Sequence, residues 1–191
     1  MESKYYNWVN SMSAENKEGS MRKKDYDQDL NMLDNDTLLL VLSIGDSKVG
    51  HLKLQKMVYI LSRVGNTENH SIPYKFGMFD ENLMEKLQAK GQDLITMEDA
   101  KYLLTEKGKD IYYIVREKVE KKKPKVVSLS EVLRKMNEDE LLAVAYYLFP
   151  EATVESEITH KVSKAIDMLL HRRGPFSIEK KNGEVIIKIE E

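Results

Sequence analysis

Four histidines, one acidic run, a short serine-bearing stretch and two tyrosine pairs are the residues of this chain with chemistry to offer. His51, His70, His160 and His171 have no i, i+4 pairing and no carboxylate pattern of the metal-ligand kind, so no metal site is expected. Cysteine is absent, which excludes disulfides, thiolate metal sites and a cysteine nucleophile. Neither a Walker loop nor a GxGxxG stretch occurs. Glu138-Asp139-Glu140 clusters carboxylates, but at the start of a helix their ordinary role is to offset the macrodipole. The Ser43 to Ser47 region has no recognisable base to partner it. Tyr112-Tyr113 and Tyr146-Tyr147 could stack nucleic-acid bases. Each pair lies on an amphipathic helix, however, where one ring faces the core and its neighbour does not. No catalytic, cofactor-binding or metal-binding set can be assembled, and the chain reads as something other than an enzyme.

What remains is charge and its distribution. The net charge is −2, yet residues 48–127 hold 16 Lys/Arg against 11 Asp/Glu. Residues 1–47 hold 5 against 9, and residues 128–191 hold 9 against 12. The basic surplus therefore sits in the middle, where an electrostatic footprint for nucleic acid would be sought. Part of it is the run Lys121-Lys122-Lys123, which reads equally well as a solvated helix end.

The elements that must position these charges follow from periodicity and punctuation. A composition 41% apolar and 32% charged supports a packed core. The apolar run Leu38 to Leu42 is far too short to span a bilayer. Met1 to Val9 carries one lysine and no apolar stretch, so no secretory signal is expected and the simplest location is the cytoplasm. Residues 1–35 are polar and are expected to form a weakly ordered tail. Asp36 is expected to cap a helix from Thr37 to Ile44, ended by Gly45. Leu54, Met57, Val58, Leu61 and Val64 form one stripe of a helix from Val49 to Val64, with Lys53, Lys56 and Arg63 off the stripe and facing solvent. Tyr74 to Phe79 is a compact extended or turn segment. Asp80 then caps a helix from Glu81 to Ala89, with Leu83, Met84 and Leu87 inward. Leu94-Ile95-Thr96 and Lys101 to Leu104 read as strands around a polar tip, and Thr105 caps a further helix that Pro124 closes.

Leu52-Lys53-Leu54-Gln55-Lys56-Met57-Val58-Tyr59-Ile60-Leu61 resembles the KLQKxxYxL helix of a group of prokaryotic winged-helix proteins. In that group an aromatic-Gly-Pro-aromatic-Ser turn follows; here the turn is Phe76-Gly77-Met78-Phe79-Asp80, with Met78 for Pro and Asp80 for the capping Ser. Tyr102-Leu103-Leu104-Thr105-Glu106-Lys107-Gly108 is similar to the end of the wing in small regulators of the MarR and PadR kind. The first motif is shared with the Panacea antitoxin-like domains, thought to act by binding proteins. The resemblance covers residues 36–120 and implies a fold more than it implies DNA binding.

Residues 124–136 are expected to be a linker with a short helix opening at Ser128 or Ser130. Asn137 and Glu140 have capping-box spacing before a helix from Leu141 to Phe149. A short helix is expected at Thr153 to Ile158 and a longer one from Lys161 to Arg173. Asn182-Gly183, between Phe176–Lys180 and Glu184–Ile189, favours a type I′ hairpin. Helices followed by a hairpin repeat the order of the middle unit, so residues 137–191 are read as a second winged helix, or alternatively as an acidic helical extension with a solvated hairpin.

The expected class is mainly α with small β-hairpins (α+β): a winged helix-turn-helix over 36–123, with the second in tandem. The expected function is that of a DNA-binding regulator, without cofactor or membrane contact. Candidate contacts to double-stranded DNA are Lys53, Lys56, Lys75, Asn82, Lys86, Gln88, Lys90, Lys101, Lys161, Lys164, Arg172, Arg173, Lys180 and Lys181. A homodimer is expected through Ile111, Tyr112, Val115 and Val119. Against DNA stands the acidic first turn of the reading helix, with Asp80, Glu81 and Glu85. The alternative is an antitoxin-like or adaptor module that holds a protein partner.

Overall fold

The computed structural model describes residues 33–67, 72–74, 77–80, 83, 85, 87, 93–153, 163–164, 166–167, 176–181 and 184–189. Residues Asn35–Glu191 gather into one unit; the expected tail falls almost wholly outside the described residues. The architecture is mainly helical with a small three-stranded antiparallel sheet, an α+β arrangement.

Helix α1, Asn35–Ile44, is buried nearly all round, with Leu40, Val41, Leu42, Ser43 and Ile44 at most 2% exposed. A helix apolar on every side belongs at the centre of a bundle. It ends at Gly45, whose φ of +51° suits glycine and whose N–H donates to Val41 O at 2.9 Å. A Cβ there would lie 2.9 Å from the Arg134 guanidinium, so glycine also admits that side chain.

The helix expected from Val49 begins two residues later. Val49–Gly50 is instead a short strand, β1, and α2 runs His51–Gly65. Periodicity could not see this strand, because Val49 is buried equally well in either state. Asn66 in the left-handed region ends α2, its N–H bonded to Arg63 O. Strands β2, Ile72–Tyr74, and β3, Gly77–Phe79, make the turn segment a tight hairpin, Tyr74 opposite Gly77.

Strands β4, Ile95–Glu98, and β5, Lys101–Leu104, form the expected second hairpin, but its tip is shorter than the sequence implied. Met97 and Glu98 belong to the strand. Only Asp99 and Ala100 turn, at φ of +50° and +57°, the two positive angles of a type I′ connection. With β1 they form a sheet of order β1-β5-β4.

Helix α3, Glu106–Lys122, is capped by Thr105, whose Oγ1 accepts from Gly108 N–H at 3.0 Å. Pro124 does not close this region. It occupies the first turn of a twelve-residue helix, α4, Pro124–Lys135, where its missing N–H costs nothing. The stretch expected as a linker buries Val126, Val127, Leu129, Val132 and Leu133 against α1, α2 and α3. Helix α5, Glu138–Leu148, has the expected capping box, Glu140 N–H to Asn137 Oδ1 at 2.9 Å and Asn137 N–H to Glu140 Oε2 at 2.8 Å. It packs on α2.

The α3 residues expected at a dimer surface lie largely in this chain's own core. Ile111, Tyr112 and Val115 are at most 2% exposed, covered by α1 and α4, and Val119 is half-buried. Apolar residues that looked surplus to a small wing domain have a partner in α4. In each tyrosine pair one ring is buried, Tyr112 and Tyr146, and its neighbour is not. Towards the C-terminus a 3-10 turn, Pro150–Thr153, follows α5; the stretch expected as a helix to Ile158 otherwise lies outside the described residues. Strands β6, Phe176–Lys181, and β7, Glu184–Ile189, pair with Lys181 opposite Glu184, as a two-residue Asn-Gly connection requires.

Two substitutions test this account. Ala100 holds a left-handed conformation that costs an L-residue about 1 kcal/mol, so Ala100→Gly should stabilise the fold by that order in urea denaturation. A Cβ on Gly108 would lie 2.0 Å from the Leu94 carbonyl oxygen. Gly108→Ala should therefore destabilise by about 3 kcal/mol or more, read as a clear drop in thermal midpoint.

Candidate interaction surface

The lysines of α2 were expected outside, and the structure turns two of them in. Lys53 Nζ donates to Arg134 O and to Met136 O, each at 2.6 Å, and so caps the end of α4. Burial pulls its pKa below the usual lysine value, opposed by Glu138 and Glu140 and reinforced by Arg134. Lys56 is buried, at 7% exposure. Desolvation lowers its pKa too, against the pull of Glu138 and Asp139 at the start of α5. A long aliphatic stem lets lysine sit along an apolar face while its ammonium meets an acidic helix start. Lys56, expected to face solvent, is therefore buried, and Lys53, half-buried, spends its ammonium on the end of α4. Arg63 does reach the surface, where it pairs with Glu151 at 2.6 Å and lies over the Phe149 ring.

Gln55, between them, is also buried and has a different task. Its Nε2 donates to Asp80 O at 3.2 Å and its Oε1 accepts from Asp80 N–H at 3.1 Å. Asp80 in turn accepts from Leu83 N–H at 3.2 Å through Oδ1, the capping expected of it. The start of the next helix is therefore clamped to α2 through its main chain. Along that helix Leu83 and Leu87 are buried and Glu85 is exposed, so the outward face carries a carboxylate.

The β4–β5 hairpin is the other exposed feature. Thr96, Glu98, Asp99, Ala100 and Lys101 are exposed, and Met97 is 65% exposed. Lys48 pairs with Glu98 at 2.7 Å. Tyr102 lies tilted against His51, 6.2 Å between ring centres, and burial followed by the charge of Lys56 lowers the His51 pKa.

Of the other candidates, Lys101 and Lys164 are exposed. Lys180 and Lys181 lie in β6. Lys75, Asn82, Lys86, Gln88, Lys90, Lys161, Arg172 and Arg173 lie outside the described residues, as do His70, His160 and His171. Among the described residues no group of three or more His, Asp or Glu could hold a metal ion, and no helix is long and apolar enough to cross a membrane. Ser43 is fully buried and its Oγ has no hydrogen-bond partner.

No family model matches the chain, and neither a curated protein nor a solved structure matches it. The KLQK-type stretch is therefore weighed by what its residues do: Lys53 caps α4, Leu54 fills the core, Gln55 clamps Asp80 and Lys56 meets α5.

Gln55→Leu keeps the side chain's bulk but strands a buried N–H and C=O at Asp80, and should cost about 3 kcal/mol in chemical denaturation. For Lys56, between its lowered native pKa and the ordinary value the unfolded chain holds a proton that the fold does not. Stability should therefore rise with pH across that alkaline window, while at neutral pH the fold bears the full penalty of the buried charge. Lys56→Met should flatten that rise and be more stable than wild type at pH 7, measured by urea titration across pH 7 to ~11.

Proposed function

We propose that this chain is a winged-helix protein that binds a protein partner and catalyses no reaction. Support for the winged helix comes from element order: α1, β1, α2, the helical residues Leu83, Glu85 and Leu87, then the β4–β5 hairpin. A β4–β5 hairpin at the edge of a sheet of order β1-β5-β4, after a helix capped by Asp80, fits a wing that follows a third helix.

One observation carries the choice of partner. Of the α2 lysines, Lys56 is buried and half-buried Lys53 is engaged by the end of α4, while Glu85, Glu98, Asp99 and the bare Met97 are exposed. DNA binding draws most of its affinity from cations facing phosphates. Carboxylates around an exposed apolar residue fit a protein surface better.

A second reading, the DNA-binding regulator, keeps a place because Lys101 is exposed at the wing. The two differ in a direct assay. The full chain should fail to retard a mixed-sequence duplex at low salt. A photo-crosslinking residue placed at Met97 should give one discrete protein adduct in its native cells, and none when placed at exposed Lys125 on α4. Retention of duplex that falls steeply with salt would overturn the protein-binding reading in favour of the regulator.

A further inference from the structure

The three-stranded sheet has two edges, and they are built differently. β1 has only two residues, Val49 is 1% exposed, and α2 begins directly after it. β4 has four residues without Pro, Gly or Lys, the usual devices that blunt an edge, and Thr96, Met97 and Glu98 are exposed.

The hydrogen-bond register says which main-chain groups that edge offers. Thr105 N–H donates to Leu94 O at 2.9 Å, and Ile95, Thr96, Met97 and Glu98 lie opposite Leu104, Leu103, Tyr102 and Lys101. Bonded and non-bonded pairs alternate in an antiparallel ladder. Thr96 and Glu98 therefore bond to β5, and the N–H and C=O of Ile95 and Met97 point away from it. Cross-strand partners share a face, so Met97, Tyr102 and Val49 lie on the same side as buried Ile95 and Leu104. The core face of the sheet thus runs out to Met97, and among the described residues no further strand pairs with β4 there.

Charge selects the occupant. Exposed Asp93 precedes the strand, and exposed Glu98 and Asp99 end it. Lys107 approaches Asp93 only to 3.9 Å and the Lys48–Glu98 pair is solvent-exposed, so neither offsets these carboxylates strongly. A second copy pairing antiparallel about Thr96 would set Asp93 against Asp99 at both ends, which like charges disfavour.

Resting on the protein-binding reading above, we infer that the free edge of β4 accepts an extended segment of another protein as an added antiparallel strand. Its basic side chains face Asp93 and the Glu98-Asp99 tip, and a β-branched apolar residue lies beside Met97. Seven residues span Asp93 to Asp99.

The test uses the full chain and the synthetic heptapeptide Lys-Thr-Val-Thr-Val-Thr-Lys. It should bind at least about tenfold more tightly than the peptide with Glu at both ends, and should slow amide hydrogen exchange at Ile95 and Met97. Methylating the backbone nitrogens of both valines should abolish binding, whereas methylating the central threonine nitrogen should not, because only the valines bond to the edge in this register. Met97→Pro removes an N–H that the sheet does not use and should lose the peptide with its melting temperature retained; the methylated peptides make the same point without altering the protein. Absence of binding by the Lys peptide, equal binding by the Glu peptide, or indifference to valine methylation would overturn strand addition. If the Met97 crosslink to a protein persists in that case, the broader reading stands; retention of duplex DNA would remove both.

Discussion

Each of three helices in this fold ends on a cation supplied by another part of the chain. The last carbonyls of an α-helix lack partners within it and carry the negative end of its dipole. Arg134 of α4 donates to Leu42 O at the end of α1, Lys53 of α2 to the end of α4, and Lys123 to Gly65 O at the end of α2. Hydrogen bonds to charged groups contribute about 1.5–3 kcal/mol each. Their geometry matters as much: α4 both gives and receives a cap, so its position fixes α1 and α2 together. Arg134 also reaches Tyr112 OH and lies over that ring, which brings α3 into the same set.

This arrangement decides what the surface can offer. A lysine capping α4 and another meeting the acidic start of α5 leave the outward side of the bundle poorer in cations than the residue count of the segment suggests. Charge counted along a chain says nothing about direction. Two outward features, Glu85 on the helix capped by Asp80 and Met97 among carboxylates on the hairpin, owe their placement to the clamp of Gln55 on Asp80 and to the two-residue turn at Asp99 and Ala100.

Much of the architecture was legible in the chain. The Leu54, Met57, Val58 and Leu61 positions of the α2 stripe, the Asn137–Glu140 capping box, the Asp80 and Thr105 caps and the β4–β5 and β6–β7 hairpins follow from local rules, and the structure places them accordingly, whereas Val64, expected on the same stripe, is 41% exposed. Non-local features were not legible. β1 is a strand because Tyr102 and Lys101 lie beside it, fifty residues away. α4 read as a linker because lysines precede it and Pro124 opens it, yet three other helices need its apolar face. Lys53 and Lys56 misled for the same reason: periodicity locates a side chain around a helix axis, but it cannot show that another helix end waits there. Gln55 gave only a faint local sign, a neutral polar residue adjoining an apolar stripe.

The Gln55 clamp touches only the peptide group of Asp80, never its side chain. Such a grip is blind to residue identity in the turn that leads up to it. The Gly77–Phe79 strand can therefore be rewritten without loosening the clamp that holds the start of the next helix. A mount of that kind separates the evolution of a binding face from the upkeep of its scaffold, and lets one frame carry many different faces.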